Sequence, residues 1–269
     1  ELKKIIAEEN KVLKGSAYLT KKSIEKIDRE GYMYENMSQN LSFIEAKKNE
    51  KGCHKTLLKN FKEKYKTYRA DWNSQPQKCI DNKLLGDELN KKNIVPLCVD
   101  IEVAAICDLA CPFCYREFIV TPDKIIDDEL CYSLIDQAAA LKVPSMKFNW
   151  RGEPLLNPKI YEYIRYAKKK GILETIINTN ATNLTEKNSR KLIEAGLDLV
   201  IYSFDGGSKK TYEKMRPGRF KENSFDKVYS NIKNFKKIKE ELNAKLPYTK
   251  IQMILTKETS GEIDSFYNL

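Results

Sequence analysis

The sequence predicts an α/β protein built on a parallel β-sheet with helices packed outside it, preceded by a helical N-terminal region. From residue 96 onward, short runs rich in β-branched residues alternate with segments whose apolar residues recur at helical spacing. Strand-like and helix-like segments that alternate in this way are typical of βαβ units and a parallel sheet. The chain before residue 61 is instead polar and helical in pattern, with few apolar positions.

The N-terminal region divides into two predicted parts. Residues 1–60 are expected to form a helical appendage, because apolar residues are too sparse among the charges to build an independent core. Residues 61–96 carry Tyr65 and Trp72 before a loop-rich stretch, and they are expected to pack as a leader on the following domain. Residues 97–269 form the predicted core domain.

Five strands are predicted in the core domain. They cover residues 97–103, 145–150, 173–179, 197–204 and 249–256. Helices are predicted between them from the segment 185–195 and from three apolar stripes, formed by Leu130, Leu134, Ala138 and Leu141, by Ile160, Ile164 and Ala167, and by Phe225, Val228, Ile232, Phe235, Ile238 and Leu242. Parallel sheets bind ligands at the carboxyl ends of their strands, so functional residues are expected in the loops that follow.

Three cysteines follow the first predicted strand directly. Cys107, Cys111 and Cys114 have the spacing C-x3-C-x2-C. Three thiolates can hold three irons of a [4Fe–4S] cluster and leave the fourth iron without a protein ligand, whereas a structural cluster would be expected to use four. Since an open coordination position is a site for chemistry, the spacing predicts a reactive iron–sulfur cluster.

Zinc and disulfide interpretations of the cysteines are weaker alternatives. A zinc knuckle would need a second close pair, yet Cys111 and Cys114 form the only C-x2-C pair and the single histidine, His54, lies far upstream. Seven cysteines are an odd number for a disulfide framework, and no secretory signal is recognisable. Reduced thiols in the cytoplasm fit better. The cysteines expected to be ordinary small residues are Cys53, Cys79, Cys98 and Cys131.

Polar residues also follow the later strands. They are Gly152 and Glu153 after the second strand, Asn178 and Asn180 at the end of the third, Ser203 at the end of the fourth, and Arg216 beyond it. A carboxylate beside a glycine suits an ammonium group that approaches the backbone closely, and an arginine suits a carboxylate. Taken singly, each motif is also typical of an ordinary loop or turn.

The cysteine spacing, the aromatic Phe113 before the last cysteine and the Gly152-Glu153-Pro154 element together resemble the radical S-adenosylmethionine (SAM) superfamily. The resemblance covers about residues 61–262. It implies a (β/α)6 TIM-like barrel, of which this chain would form a part. It also implies that SAM chelates the open iron, that one electron from the cluster cleaves SAM, and that the resulting 5′-deoxyadenosyl radical abstracts hydrogen from a substrate.

The resemblance also implies a cofactor-binding role for seven side chains. Phe113 would lie beside the adenine, Gly152 and Glu153 would hold the SAM amino group, Asn178 and Asn180 would bind the ribose or the carboxylate, Ser203 would contact SAM, and Arg216 would pair with the SAM carboxylate. No side chain is assigned a catalytic acid or base role. The chain departs from the family's Gly-Gly-Glu-Pro motif at Arg151, which could instead reach a substrate carboxylate or phosphate.

The segments Ser203-Phe204-Asp205-Gly206 and Met215-Arg216 are most similar to the SPASM/twitch branch, whose C-terminal extension binds auxiliary iron–sulfur clusters. Asp205 is expected to shape the turn. No cysteine follows Cys131, so auxiliary clusters would have no ligands in this chain. The family barrel has six strands and only five are predicted, so we expect the chain to stop before strand six.

Composition narrows the function classes. The net charge is +10, from 48 basic and 38 acidic residues, but lysines and glutamates alternate as they do on solvated helix faces. Nucleic acid is therefore a disfavoured partner, and no RNA-binding module supports an RNA-modifying enzyme. No apolar run approaches the roughly 20 residues of a membrane span. A mildly basic surface suits an acidic electron donor such as flavodoxin or ferredoxin.

The leading prediction is a radical SAM enzyme that acts on an unidentified substrate, either a peptide or protein or a small molecule. The alternative is a non-catalytic iron–sulfur module for electron transfer or structure. Such a module would need a fourth cluster ligand, and it would not need the Gly-Glu-Pro and Asn178-Thr179-Asn180 elements.

Overall fold

The computed structural model describes residues 29–36, 54–119 and 122–269. Its strands are β1 (Cys98–Asp100), β2 (Ser145–Lys147), β3 (Glu174–Thr179), β4 (Leu199–Ser203) and β5 (Tyr248–Gln252). Its helices are α1 (Arg29–Asn36), α2 (His54–Asp81), α3 (Asp87–Lys91), α4 (Asp128–Ala140), α5 (Ile160–Lys169), α6 (Glu186–Glu194), α7 (Lys209–Met215), α8 (Phe225–Glu241) and α9 (Ile263–Tyr267). Most of the predicted N-terminal appendage, residues 1–28 and 37–53, lies outside the described residues, as does Cys53.

The five strands form one sheet in the order β1-β2-β3-β4-β5, and every neighbouring pair is parallel. Each strand after β1 therefore pairs with the strand before it, and helices form the connections, as in βαβ units. The prediction of an α/β fold with a parallel, partly barrel-like sheet is confirmed.

Several strands are shorter than predicted. β1 ends at Asp100 rather than at residue 103, although the Ile101 amide still donates to the Lys147 carbonyl at 2.8 Å. Ala104 leaves the sheet to form an antiparallel bridge with Ile125. β2 likewise ends at Lys147 rather than at residue 150. The apolar runs continue past the ladder because these residues pack in the core while their backbone already turns into functional loops.

The main core lies between the sheet and its helices. Met146, Ile177 and Val200 are fully buried on the strand face that the helices cover. α8 is buried through Val228, Phe235 and Ile238 from the predicted stripe, while the last member of that stripe, Leu242, is partly exposed at the helix end. The alternation of apolar residues along the strands thus places one face of the sheet in the core.

The predicted apolar face of α4 is wrong at two of its four positions, since Ala138 is buried and Leu134 packs against the core. Leu130 and Leu141 are more than half exposed, and the buried stripe is instead formed by Cys131, Ile135 and Ala138. Cys131 and Ile135 each lie one position after Leu130 and Leu134, whereas Ala138 belongs to both stripes. The sequence contains both stripes, and contact with the sheet and α5 decides between them.

α2 lies at the opposite end of the sheet from the functional loops. Tyr65 and Tyr68 on this helix are buried in a second apolar cluster with Met33, Leu173 and Leu246. Leu173 directly precedes β3, and Leu246 lies two residues before β5. The Tyr68 hydroxyl donates to the Glu174 carboxylate at 2.9 Å. Among the helices that the structure describes, none combines the length and the apolar composition that crossing a bilayer would require.

Candidate active site

A cavity of about 260 Å³ opens at the carboxyl ends of the strands. Its lining includes every site residue that the sequence predicted, namely Cys107, Cys111, Phe113, Cys114, Gly152, Glu153, Asn178, Asn180, Ser203 and Arg216. They come from five separate stretches of the chain that meet only because the parallel strands end at one edge.

A larger cavity of about 730 Å³ lies at the other end of the sheet, between α2 and the segments that precede the strands. It contains Tyr68, Pro96 and Leu173 and none of the predicted site residues. Ligands of parallel α/β sheets bind at the carboxyl ends of the strands. The smaller cavity is therefore the candidate active site.

The cysteine loop is held by the chain that follows α7. The Ala110 amide donates to the Pro217 carbonyl at 2.9 Å, and the Arg219 amide donates to the Asp108 carbonyl at 2.8 Å. Gly218 lies between these contacts, where a Cβ atom would stand only 1.6 Å from the Lys221 carbonyl oxygen. Only glycine can form this tight brace, which fixes the loop without using the cysteine side chains.

Asp108 is a site residue that the sequence analysis missed. Its carboxylate accepts hydrogen bonds from Asn180 Nδ2 at 2.8 Å and Asn183 Nδ2 at 3.1 Å, and also from the Thr182 hydroxyl. The Asn180 side-chain oxygen in turn accepts from the Thr182 amide at 2.9 Å. Asn180 therefore ties the cysteine loop to the end of β3. The only available signal was a carboxylate placed directly after Cys107.

The three thiols are buried or partly buried. Burial raises the pKa of Cys107 to about 12 and that of Cys111 to about 11, so both are protonated in the metal-free protein at neutral pH. A bound metal replaces such protons, because the thiolate is the ligand form. The guanidinium of Arg216 favours the thiolate form of Cys111.

The donor set fits a cluster better than a single ion. Within the described ranges, no three His, Cys, Asp or Glu side chains converge closely enough to hold one metal ion. A zinc site needs such convergence. An iron–sulfur cluster instead takes each thiolate on a different iron atom, so three separated sulfurs around one cavity suit it.

Glu153 is buried and accepts three hydrogen bonds. They come from the Leu155 amide at 3.0 Å, the Thr179 hydroxyl at 2.7 Å and the Asn180 amide at 2.8 Å. Burial raises the pKa of Glu153 to about 7 in spite of these donors. The side chain thus joins the Gly-Glu-Pro turn to the end of β3 and presents a carboxyl group that is poised between its two protonation states.

Gly152 makes its close approach to the protein itself. Its φ is +61°, and a Cβ atom would stand 2.0 Å from the Ala104 carbonyl oxygen and 2.7 Å from that of Ile106. The Glu153 amide donates to the same Ile106 carbonyl at 2.8 Å. Glycine is therefore required at position 152 so that the turn can pack on the start of the cysteine loop.

Arg151 does not carry a free guanidinium, in contrast to the suggestion that it could reach a substrate anion. Its Nε and Nη2 atoms donate to the two carboxylate oxygens of Glu102 at 2.7 and 2.5 Å. The Arg151 amide also donates to Glu102, at 3.2 Å. This bidentate pair occupies the fork of Arg151. Glu102 lies 49 residues away in the sequence, so no local pattern could have predicted it.

Asn178 and Ser203 lie at the ends of β3 and β4 and face the cavity. The Asn178 side-chain oxygen is buried and has no hydrogen-bond donor among the described residues. A buried acceptor without a partner is costly, and a ligand N–H or O–H group would satisfy it. This orphaned oxygen is an observation of the structure that fits a polar cofactor.

Arg216 is buried and ion-paired. Its Nε and Nη2 atoms lie 2.8 and 2.5 Å from Asp205 Oδ2, and its guanidinium lies 5.9 Å from the centre of the Phe113 ring. The other oxygen of Asp205 accepts from the Ile254 amide at 2.6 Å. Asp205 thus joins the end of β4 to the chain after β5, as well as holding Arg216 beside the cysteine loop.

The sequence model of the Radical SAM superfamily matches residues 101–269, which is more than half of the chain. The chain belongs to the radical SAM superfamily. This family uses a [4Fe–4S] cluster and SAM. The family match is independent of the cavity described above, and it covers all of the residues that line that cavity.

Three curated relatives have related sequences. A tungsten-containing aldehyde ferredoxin oxidoreductase cofactor-modifying protein of Pyrococcus furiosus is 28% identical over 170 residues, which are 61% of this chain and 45% of the relative. A GTP 3′,8-cyclase of Chlorobaculum tepidum is 36% identical over 40% of this chain and 32% of its own length. An AdoMet-dependent heme synthase of Oleidesulfovibrio alaskensis is 32% identical over 45% of this chain and 31% of its own length. The chain spans less than half the length of each of these relatives.

Solved structures share the fold. Native anSMEcpe with bound AdoMet superposes with a TM-score of 0.53 at 23% identity, over 64% of this chain and 47% of that chain. Streptococcus suis SuiB bound to the precursor peptide SuiA gives a TM-score of 0.54 at 21% identity, over 67% of this chain and 38% of the SuiB chain. At these identities the likeness establishes the fold alone. The similarity to the SPASM/twitch branch stays a prediction.

Proposed function

We propose that this chain carries the active site of a radical SAM enzyme, with a [4Fe–4S] cluster on Cys107, Cys111 and Cys114. The observation that carries the proposal is the single cavity that brings these cysteines together with Glu153 and Arg216 at the carboxyl ends of the strands. When bound there, the two cofactors supply the reductive cleavage of SAM and the abstraction of a substrate hydrogen.

The chain's own residues bind and orient the cofactors. The carboxylate of Glu153 attracts the SAM ammonium group, and the orphaned oxygen of Asn178 accepts a hydrogen bond from SAM. Arg216 is held by Asp205, and the N–H groups that this pair does not use donate to the SAM carboxylate. Phe113 supplies an apolar ring to the adenine. Ser203 and Asn180 are further polar residues that line the cavity, and Asn180 is positioned by its hydrogen bond to Asp108.

The alternative, a non-catalytic iron–sulfur module, would need a fourth ligand for its cluster. Among the described residues, no other cysteine and no histidine lines the cavity. The cavity also carries polar groups, such as the Asn178 oxygen, that a closed cluster would not use.

The names of the relatives suggest two classes of substrate for this chain. The curated relatives are named for modifying a cofactor, for cyclising GTP and for making heme, whereas one structural neighbour is bound to a precursor peptide. Both a small molecule and a peptide are therefore candidate substrate classes.

We also propose flavodoxin or ferredoxin as the electron donor. We propose the cytoplasm as the location, because reduced thiols suit that compartment.

The proposal is tested by anaerobic reconstitution with iron and sulfide, followed by reduction and an assay for 5′-deoxyadenosine. The expected result is an oxygen-sensitive cluster and release of 5′-deoxyadenosine from SAM. The matched control replaces Cys107, Cys111 and Cys114 together by alanine and should give neither. A reconstituted cluster that never cleaves SAM, with reductant present, would favour the electron-transfer alternative.

A further inference from the structure

Two exposed aromatic side chains stand at the mouth of the active-site cavity. Trp150 is 60% exposed and Tyr115 is 44% exposed, and both line the cavity that contains the three cysteines. Burying a large apolar side chain lowers the free energy, so an exposed indole ring beside a reactive site indicates a surface that a ligand covers. None of the cofactor contacts proposed above uses either ring.

The Trp150 ring is contacted by a side chain that is itself fixed by an ion pair. The guanidinium of Arg151 lies 4.8 Å from the centre of its ring, and Glu102 fixes that guanidinium with bonds of 2.7 and 2.5 Å. A cation over the indole ring stabilises its position. Because the ring is positioned before any ligand arrives, binding on it loses little side-chain entropy.

The two rings belong to the loops that carry the proposed cofactor ligands. Tyr115 follows Cys114 directly, and Trp150 lies three residues before Glu153. Their centroids are 6.1 Å apart, with an angle of 57° between the rings. Ile254, which is 45% exposed and also lines the cavity, adds apolar surface from the chain after β5. The mouth is therefore apolar on two sides, above a polar interior.

We propose that Trp150 and Tyr115 form a stacking subsite for the substrate, and that the substrate carries a planar aromatic or heteroaromatic ring. This inference rests on the proposed function, because it assigns the substrate of the same site. Aromatic side chains accept the face of any such ring. Arg151, the cation that lies against the Trp150 ring, is already paired with Glu102, so we assign the recognition at this subsite to the aromatic ring of the substrate.

The test is anaerobic calorimetry on the reconstituted protein saturated with SAM. The probes are inosine, N-acetylphenylalaninamide and, as a probe without an aromatic ring, ribose. We expect at least one ring-bearing probe to bind and ribose not to bind. Binding of inosine alone would identify a heteroaromatic substrate, and binding of the amide alone would identify an aromatic side chain.

Variants locate the subsite. Trp150→Leu should lower the affinity for the ring probe about tenfold or more, as loss of one stacking side chain does elsewhere. Trp150→Phe, which keeps a ring, should retain the affinity within about threefold. Trp72→Phe changes the other tryptophan, which lies on α2 and does not line the cavity, and should have no effect. Cluster absorbance shows whether each variant is folded.

The proposal is overturned if neither ring probe binds, if Trp150→Leu binds as the parent does, or if SAM and the ring probe compete. Competition would assign the aromatic pair to SAM itself. A second titration, on the protein before reconstitution, follows the fluorescence of Trp150 in the Trp72→Phe variant. Saturable quenching in this titration, combined with no SAM cleavage by the reconstituted and reduced protein, would retain the subsite and reject the proposed function.

Discussion

At the scale of single residues, the charged groups of the site are already engaged by the protein. Glu153 accepts three hydrogen bonds from the turn and from the end of β3, and Arg216 is ion-paired with Asp205. Buried charges require such partners, because removal from water is costly. A cofactor that binds here therefore adds to an existing network, and substitutions in the network affect both binding and local structure.

The three cysteines are predicted to be individually required for the cluster. Alanine at Cys107, Cys111 or Cys114 should abolish the absorbance of the reconstituted cluster and the formation of 5′-deoxyadenosine, since each thiolate binds a different iron. Iron and sulfide analysis with visible absorbance measures the result. Cys79→Ala, on α2, is the matched control and should assemble a normal cluster. A normal cluster in the triple variant would contradict the assignment.

Glu153 is predicted to bind SAM as a carboxylate. Glu153→Gln should weaken SAM binding by about 1.5–3 kcal/mol, the size of a charged hydrogen bond, without preventing cluster assembly. Anaerobic calorimetry measures the affinity, and cluster absorbance reports on assembly. Glu129→Gln, at an exposed position of α4, is the control and should bind SAM normally. Equal affinity in the two variants would remove Glu153 from the SAM site.

The raised pKa of Glu153 adds a pH dependence to the same prediction. Burial raises this pKa from 4.5 to about 7, so the carboxyl is partly protonated at neutral pH. Its ionised form destabilises the metal-free fold, and this group should lower stability as pH rises from about 4.5 to about 7. SAM affinity should change in the opposite sense, rising with pH up to about 7 and then levelling off. Glu153→Gln should abolish this rise.

At the scale of secondary-structure elements, sequence patterns predicted what local spacing determines. The succession of strands and helices, the cysteine loop and the polar strand ends all follow from periodicity and from short motifs. The face of α4 was mispredicted because Leu130 and Cys131 begin two equivalent stripes. The pairs Arg151–Glu102 and Asn180–Asp108 join residues 49 and 72 positions apart, so only the folded chain reveals them.

A buried ion pair connects α5 to the start of β4. Lys168 and Asp198 are fully buried, with Nζ 2.6 Å from Oδ2, and the Thr175 amide and hydroxyl also donate to Asp198. Lys168→Met should lower the free energy of unfolding by about 3–5 kcal/mol, because it leaves a buried carboxylate without its cation. Urea denaturation of the metal-free protein measures the change.

Two further variants test whether burial is the cause. Lys170→Met removes a lysine two residues later that pairs with Asp136 at the surface, and it should change stability little. The double variant Lys168→Met/Asp198→Leu should recover much of the loss, since the carboxylate of Asp198 is removed together with its cation. A single Lys168→Met variant as stable as the parent would show that the pair does not stabilise the fold.

At the scale of the whole molecule, the cavity and the N-terminal helices lie at opposite ends of the sheet. The main core surrounds β2, β3 and β4, whereas Met33, Tyr65, Tyr68, Leu173 and Leu246 form a separate apolar cluster. We propose on this basis that residues 97–269 form the catalytic core and that residues 61–96 pack against its far end. Clusters that are separate in space can open separately.

Tyr65→Ala tests this division of the molecule. Tyr65 is 1% exposed, and truncating a large buried ring typically costs about 3–5 kcal/mol, more than enough to loosen a helix held by a small cluster. Trypsin should then cut the lysine-rich α2 faster, while cluster absorbance and SAM cleavage persist because the cavity lies at the other end. Trp72 lies on the same helix but is 43% exposed, so in the Trp72→Ala variant trypsin should cut α2 as slowly as it does in the parent. If Tyr65→Ala instead loses helix protection and cluster together, the two apolar clusters unfold as one cooperative unit, and the proposed boundary near residue 97 has no energetic meaning.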